Sequence, residues 1–162
     1  MRHTALFVGA LLAVTGVALA DGGADCATAP TVNLPGSLPY TDSGTTCGKG
    51  DTYADNPCLG VYDGGEDALY ALEVATPGEY NIALLGTLTW TAFGVTDGCP
   101  DTAPACTGSH QSSGGNPSGT VVFPAAGTYY LQIDTWPSPA CTPYELSISG
   151  PVPVELQAFS IE

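Results

Sequence analysis

The acidic residues between positions 51 and 67 are the strongest candidates for chemistry in this sequence. The stretch DTYADNPCLGVYDGGED combines carboxylates with the amide of Asn56 and with Gly64 and Gly65, which free backbone carbonyls to turn inward. Calcium takes roughly six to eight oxygen ligands from such a mixture, although the spacing differs from that of an EF-hand loop. The stretch predicts either a calcium site or a solvated acidic loop held by cysteines; the candidate ligands are Asp51, Asp55, Asp63, Glu66 and Asp67.

Aromatic residues in the loops are the second group of candidates. Trp136 lies in TWPSPAC, a segment stiffened by proline, and Tyr53 and Tyr62 lie in the acidic stretch. Exposed Trp and Tyr side chains bind protein or glycan ligands with little loss of conformational entropy. These three residues are predicted to face a ligand, with capping of the fold as the alternative for Trp136. Trp90 is expected in the core.

The sequence predicts no catalytic residue and therefore no enzyme. His110 is the only histidine after residue 20, and it lies in the polar stretch TGSHQSSGGNPSG, which predicts an exposed mobile loop over Thr107 to Gly119. A triad or a zinc site needs a histidine held by a second group. Glu66 and Asp67 are adjacent, so on a strand they point to opposite faces and do not converge on one bond.

The first twenty residues have the pattern of a secretory signal peptide. A basic start precedes an apolar run and the sequence ALA, which predicts cleavage after Ala20; an uncleaved membrane anchor is the alternative. The 16 acidic side chains all follow this segment, where Lys49 is the only lysine or arginine. Nucleic acid and anionic lipid need basic residues to neutralise phosphate, so the composition excludes both as partners. We expect a secreted protein of the extracellular space or cell surface, without a membrane span after cleavage.

An even number of cysteines in an exported chain predicts disulfides. Metal-thiolate binding is the alternative, but the sequence has no C-x-x-C pair. Proximity along the chain favours pairing Cys99 with Cys106 and Cys47 with Cys58, which leaves Cys26 for Cys141; sequence alone leaves the pairing open.

Short alternating segments separated by Gly, Pro, Ser and Thr predict an all-β protein, with a β-sandwich as the architecture. Six strands are predicted in DALYALEV, EYNIALL, LTWTAFGV, TVVFP, TYYLQID and YELSIS, with weaker candidates near Val32 and Tyr40. The inward face of LTWTAFGV is ambiguous, because it is either Leu88, Trp90 and Ala92 or Phe93 and Val95.

One pattern occurs twice, as ALEVATPGEYNIAL and TVVFPAAGTYYLQI. In each copy a proline ends one strand, a glycine supplies a turn, and a tyrosine starts the next strand on its buried face with its hydroxyl near a partner at the rim. The two copies are predicted to be hairpins of the same design.

The order of these motifs resembles the bacterial pre-peptidase C-terminal domain. The run GGEDALYALEVATPGEYNIAL, the segment ending in DGC, the second P-x-x-G-x-Y-Y motif and the final PYELSI follow the order typical of that family. The resemblance implies an antiparallel jelly-roll-like β-sandwich over residues 21–150. It also implies an accessory module of exported enzymes, with relatives that bind collagen in a calcium-linked way.

The last segment, PVPVELQAFSIE at residues 151–162, alternates like a strand but carries two prolines. It is predicted to be an edge strand, a tail that joins copies of the protein, or a disordered end. The sequence therefore predicts a secreted, non-catalytic binding or accessory module with calcium as its cofactor and an extracellular protein or glycan as its partner. The alternative is a structural subunit of an extracellular assembly or filament that uses this tail for contacts.

Overall fold

The computed structural model describes residues 21–136 and 140–150, which form two β-sheets. The strands are β1 Thr31–Leu34, β2 Tyr40–Thr45, β3 Ala68–Val74, β4 Gly78–Leu85, β5 Thr91–Thr96, β6 Cys106–Ser112, β7 Ser118–Phe123, β8 Gly127–Thr135 and β9 Pro143–Ser149. The first sheet has the order β1-β3-β8-β5-β6 and the second has the order β2-β9-β4-β7. Two short 3-10 helices, Gly60–Tyr62 and Pro100–Thr102, lie in the connections. The predicted all-β sandwich is confirmed, whereas the predicted signal segment 1–20 and the tail 151–162 lie outside the described residues.

All the strand pairs are antiparallel except β1 with β3, which run parallel. Within the described ranges, no helix has the length and hydropathy needed to cross a membrane.

The core lies between the sheets and is built by strict alternation along the strands. Every second residue of β3, β4, β8 and β9 is buried there, as predicted, and in β5 the inward residues are Phe93 and Val95. Leu88 and Trp90 precede β5 and are exposed, so the expected core position of Trp90 is wrong. The predicted inward residues that reach the core are Tyr70, Leu72, Val74, Tyr80, Ile82, Leu84, Tyr129, Leu131, Ile133, Tyr144, Leu146 and Ile148.

The two repeated proline, glycine and tyrosine motifs are corners between the sheets, so the predicted hairpins are wrong. Strand β3 belongs to the first sheet and β4 to the second, and β7 and β8 are divided in the same way. Gly78 and Gly127 have φ values of 152° and 156°, which side chains rarely adopt. After each corner, a tyrosine hydroxyl donates to the carbonyl four residues upstream: Tyr80 to Thr76 at 2.8 Å and Tyr129 to Ala125 at 3.0 Å. The predicted role of the tyrosine at the rim is confirmed.

More than half of the predicted mobile loop from Thr107 to Gly119 lies in strands, with residues 107–112 in β6 and 118–119 in β7, so that prediction is wrong. Strand β6 pairs with β5 at the edge of the first sheet, and only residues 113–117 connect it to β7. A strand of Ser, Thr, Gly and Gln is stable there because its backbone is paired while its side chains remain partly in water.

Tyrosine hydroxyls and a buried carboxylate anchor the beginning of the domain at one end of the core. The Tyr70 hydroxyl donates to the buried Asp42 at 2.8 Å and lies 3.0 Å from the Tyr144 hydroxyl. Both hydroxyls accept hydrogen bonds from the backbone N–H of Gly22, each at 3.2 Å. The residues directly after the predicted signal segment are therefore part of the folded domain.

Candidate functional site

A long connection between β2 and β3, residues 46–67, lies across the outer face of the first sheet; we call it the covering segment. It contacts the outward residues of β5 and β8, where Gly94 lies beside Gln132 in register. A Cβ atom on Gly94 would lie 2.7 Å from Cβ of Cys58, so this close approach requires glycine. The side-chain amide of Asn56 donates to Gln132 Oε1 at 2.7 Å. The covering segment therefore buries polar side chains that would otherwise face water.

Disulfides tie the covering segment to the sandwich. The pairs are Cys26 with Cys99, Cys47 with Cys141, and Cys58 with Cys106, and the six cysteines are all used. The prediction that the cysteines form disulfides is confirmed. The two pairings that chain proximity favoured are wrong, and so is the third pairing that they left. The covering segment crosses the sheet, so its two cysteines meet Cys141 and Cys106, which are distant in sequence.

Three aspartates meet beneath the covering segment. Asp63 and Asp67 come from the segment itself, and Asp134 comes from the outer face of β8; each offers one carboxylate oxygen, and these oxygens lie within 4.8 Å of one another. Asp67 and Asp134 are fully buried and Asp63 is half-buried. This combination of three carboxylates is the candidate cation site.

Backbone N–H groups hold each carboxylate in place. Asp67 Oδ2 accepts from the N–H of Thr52 at 2.7 Å and of Tyr53 at 2.9 Å. Asp63 Oδ2 accepts from the N–H of Asn56 at 2.6 Å. Asp134 Oδ1 accepts from the N–H of Gly65 at 3.0 Å. The covering segment is therefore folded around the three carboxylates, each of which offers an oxygen within 4.8 Å of the others.

Four oxygens converge on a single atom, Nε2 of Gln132. This nitrogen lies 2.7 Å from Asp67 Oδ1, 3.3 Å from Asp63 Oδ1, 3.5 Å from Asp134 Oδ2 and 3.3 Å from the carbonyl oxygen of Tyr53. An amide group has two hydrogens, so it satisfies two of the four acceptors at one time. Carboxylate and carbonyl oxygens of this kind are also the ligands that a hard cation such as calcium takes.

The three carboxylates are electrostatically costly as they stand. Burial raises the pKa of Asp134 to about 9, and the charge of Asp67 adds to this rise. Burial also raises the pKa of Asp63, to about 6, and raises the pKa of Asp67. Asp63 and Asp134 share a hydrogen bond that favours ionised Asp63 and neutral Asp134, so Asp134 keeps the proton. A bound divalent cation removes the need for that proton.

The other predicted ligands have different surroundings. Asp51 is exposed, although its charge contributes to the raised pKa values of Asp63 and Asp67. Asp55 is exposed and is not part of the group of three aspartates. Glu66 turns away and accepts from the N–H groups of Gly48 and Gly50 in the turn after β2. The structure therefore brings together Asp63 and Asp67, with Asp134 as a member that the sequence reasoning missed.

The sequence does contain a signal for Asp134. In TYYLQID the residues Gln132 and Asp134 alternate with the core residues Leu131 and Ile133, so they occupy the outer face of the strand. A glutamine and an aspartate on an outer face are normal when that face meets water. The covering segment lies over that face and buries both residues, which the sequence of the strand alone does not predict.

The aromatic candidates divide into buried and exposed groups. Tyr53 and Tyr62 are 8% and 7% exposed, so the expected exposure of these two residues is wrong. Tyr53 accepts from the N–H of Cys26 at 3.0 Å and thus fixes the beginning of the domain. Trp136 is 39% exposed, and its ring contacts that of Trp90, which is 43% exposed.

His110 is held at the edge of the sandwich. It lies in β6 opposite Phe93, its ring contacts the ring of that residue, and Nε2 lies 3.2 Å from the carbonyl oxygen of Thr120. The expectation of an exposed loop histidine is therefore wrong. Its described contacts are those of a packed residue of the sheet edge.

The two sheets, the corner tyrosines and the covering segment define the class of protein as a disulfide-bonded β-sandwich. The 1.0 Å crystal structure of the pre-peptidase C-terminal domain of a collagenase from Bacillus anthracis is similar to it, with a TM-score of 0.51 and 17% identity. The similarity covers 75% of this chain and 94% of that domain. The predicted resemblance is confirmed for the fold. No protein-family model and no curated protein sequence matches the chain.

Proposed function

We propose that the protein is an extracellular, non-catalytic accessory module whose covering segment is locked in place by a calcium ion. The convergence of four oxygens on Gln132 Nε2 carries the calcium part of this proposal. Asp63, Asp67 and Asp134 would hold the ion through their carboxylates, together with the carbonyl oxygen of Tyr53.

Calcium suits this set of donors better than other biological cations. All the converging donors are hard oxygens, and the group contains neither histidine nor cysteine, which zinc and most transition metals prefer. Magnesium demands a strict octahedron and keeps most of its water, whereas calcium accepts irregular sets of protein oxygens. When bound, the ion supplies the positive charge that the three buried carboxylates lack.

The accessory role rests on the fold and on the chemistry of the described residues. The similar solved structure is a domain of a collagenase, a part of a larger enzyme. His110, the only histidine of residues 21–162, is packed against Phe93 at the sheet edge. Three disulfides fit an oxidising compartment outside the cell. The partner of the proposed accessory module is an extracellular protein or glycan.

Calorimetric titration of the chelator-treated protein with calcium chloride tests the cation site. We expect one bound calcium per chain and, at about a hundredfold excess over the dissociation constant, about 2.7 kcal/mol of added stability. For a domain of this size, this is a rise in melting temperature of about 10 °C. Magnesium should give a much smaller rise.

Matched variants locate the site in the same experiment. Asp67→Asn removes a buried ligand and should abolish calcium binding, whereas Asp55→Asn removes an exposed carboxylate of the same segment and should leave it unchanged. Equal loss in both variants would show that the acidic surface collects calcium without a defined site. No heat and no shift in the unchanged protein would refute the calcium part of the proposal.

Extracellular placement has its own test. The protein recovered from the culture medium should begin at Asp21, which N-terminal sequencing determines. Retention of residues 1–20 in the cell membrane would contradict the secreted form.

A further inference from the structure

Two exposed indole rings lie side by side at one end of the first sheet. Trp90 precedes β5 and Trp136 follows β8, and their ring centroids are 5.9 Å apart with an interplanar angle of 53°. The buried ring of Tyr62 supports Trp90 from the covering segment at 6.0 Å. We call the paired faces of Trp90 and Trp136 the tryptophan platform.

The backbone holds Trp90 in an unfavourable conformation that presents its ring. Its φ is 61°, in the left-handed region that bulky residues avoid. The N–H of Trp90 donates to the carbonyl oxygen of Ser113, and its own carbonyl accepts from the N–H of Trp136 at 2.9 Å. Strained residues of this kind concentrate at ligand sites, where the surrounding structure holds them in place. The platform is thus fixed before any ligand arrives.

Two loops flank the platform and are bonded to each other. The β4–β5 loop, residues 86–90, and the β6–β7 loop, residues 113–117, meet where Asn116 Oδ1 accepts from the N–H of Thr87 at 3.1 Å. The N–H of Asn116 in turn donates to Thr87 Oγ1. The segments read GTLTW and SGGNP, and they contain no charged residue. In a chain with 16 acidic residues, these two loops offer hydroxyl, amide and aromatic groups without a charged side chain.

We propose that the tryptophan platform binds an uncharged polysaccharide, with sugar rings stacked on Trp90 and Trp136 and sugar hydroxyls bonded by the two flanking loops. Flat aromatic faces match the apolar faces of pyranose rings. Serine and threonine hydroxyls both donate and accept, as sugar hydroxyls do. The inference names the ligand of the proposed accessory module and rests on that proposal.

The surroundings of the platform favour a neutral polysaccharide over four other kinds of ligand. An acidic polysaccharide is repelled by the acidic domain around the platform. A basic peptide needs carboxylates, but the flanking loops contain none. Asp134, two residues before Trp136, and Asp63, next to Tyr62, are turned into the cation site. A second copy of the protein would need an interface of roughly 1,200 Å², far more than two half-exposed rings supply. A proline-rich peptide has no N–H donor on its prolines to bond with the loop hydroxyls.

Tryptophan fluorescence tests the proposal directly, because Trp90 and Trp136 are the only two tryptophans of the protein. The probes are the neutral oligosaccharides cellohexaose, chitohexaose and mannohexaose, with oligogalacturonate as the acidic control and a triple-helical Gly-Pro-Pro peptide as the protein control. We expect at least one neutral probe to shift the emission to shorter wavelength and to reduce quenching by acrylamide, with no change for either control.

Variants assign the effect to the platform. Trp136→Ala and Trp90→Asn, the latter chosen because asparagine tolerates a positive φ, should each weaken binding of that probe by at least about tenfold. Trp136→Phe should restore part of the affinity, and Leu85→Ala, an exposed apolar residue on β4, should not change it. An unchanged calcium titration in the tryptophan variants shows that they are folded.

Four results would overturn the proposal: no response to any neutral probe, equal binding of oligogalacturonate, binding of the Gly-Pro-Pro peptide alone, or a dimer in light scattering that Trp136→Ala dissociates. None of these four results would bear on the proposed cation site. Loss of calcium binding in Asp67→Asn with sugar binding retained would show that the two sites are independent.

Discussion

The Asp134→Asn variant should be more stable than the unchanged protein in chelator and less stable than it in saturating calcium. In chelator, the buried carboxyl of Asp134 must keep a proton, because burial raises its pKa from 3.8 to about 9. Asparagine keeps an oxygen for the N–H of Gly65 and presents an amide hydrogen where the carboxyl proton was. The variant therefore has a neutral hydrogen-bond donor at this position at every pH, whereas the unchanged protein has one only when Asp134 binds a proton.

The size of the effect follows from the pKa. One pKa unit is worth about 1.4 kcal/mol, and pH 8 lies about four units above the ordinary pKa of 3.8. Keeping the proton at about pH 8 therefore costs the folded state about 6 kcal/mol at most. Burial of the new amide offsets part of the gain. We expect Asp134→Asn in chelator at about pH 8 to be more stable by about 2 kcal/mol, a rise in melting temperature of about 8 °C.

The sign also fixes the dependence on pH. Since the folded chain binds this proton more tightly than the unfolded chain does, the free energy of unfolding in chelator should fall as pH rises from about 4 to about 9. This slope should be much smaller in Asp134→Asn, where Asp63 and Asp67, whose pKa values are also raised, are the groups of the site left to contribute. With saturating calcium the unchanged protein should be the more stable of the two, because the variant has lost a ligand.

Urea denaturation across this pH range, with chelator and with calcium, measures all of these quantities. Asp101→Asn, at an exposed carboxylate after β5, is the control and should follow the unchanged protein throughout. A variant that is less stable than the unchanged protein in both conditions would refute the assigned proton on Asp134. A variant that calcium stabilises fully would refute its role as a ligand.

Three further changes test how the covering segment and the core are held. Replacing Cys58 and Cys106 together by serine opens a 48-residue loop and should lower the free energy of unfolding, measured in urea, by about 4 kcal/mol. Calorimetry should also show weaker calcium binding. An unchanged calcium affinity would show that this disulfide does not help to form the cation site. Gly94→Ala should lower the melting temperature by several degrees, since its Cβ meets Cys58; an unchanged melt would show that the segment moves freely. Tyr70→Phe should cost about 1–3 kcal/mol, with Tyr130→Phe on the outer face as a neutral control, and equal losses would contradict the buried network.

The local chemistry of the sequence predicts the strands and the core. Alternation in DALYALEV, EYNIALL, TYYLQID and YELSIS identifies the inward residues, because one face of each strand meets the opposite sheet. It does not tell which strands pair. The two proline, glycine and tyrosine motifs have the turn chemistry of a hairpin, but Gly78 and Gly127 lie at corners between the sheets. Whether such a turn forms a hairpin or a corner depends on partners that are distant in sequence.

The candidate site is predictable only in part, because it is made by the covering segment meeting β8. Asp63 and Asp67 stand out in an acidic stretch, whereas Asp134 has the sequence surroundings of a solvent-facing residue. Strand β6 is missed for a related reason, since a polar edge strand has the composition of a loop. Tyr53 and Tyr62 are buried although loop residues are usually exposed, because this connection is itself a layer of the fold.

The disulfides make the domain resistant to fragmentation by a single proteolytic cut. The bond of Cys26 with Cys99 spans one part of the chain, and that of Cys47 with Cys141 spans an overlapping part. Every peptide bond between residues 26 and 141 is therefore enclosed by at least one covalent ring. A protease that cuts any single loop in this range nicks the chain without releasing a fragment. The sandwich, the covering segment and the tryptophan platform would stay together as one molecule after such a cut.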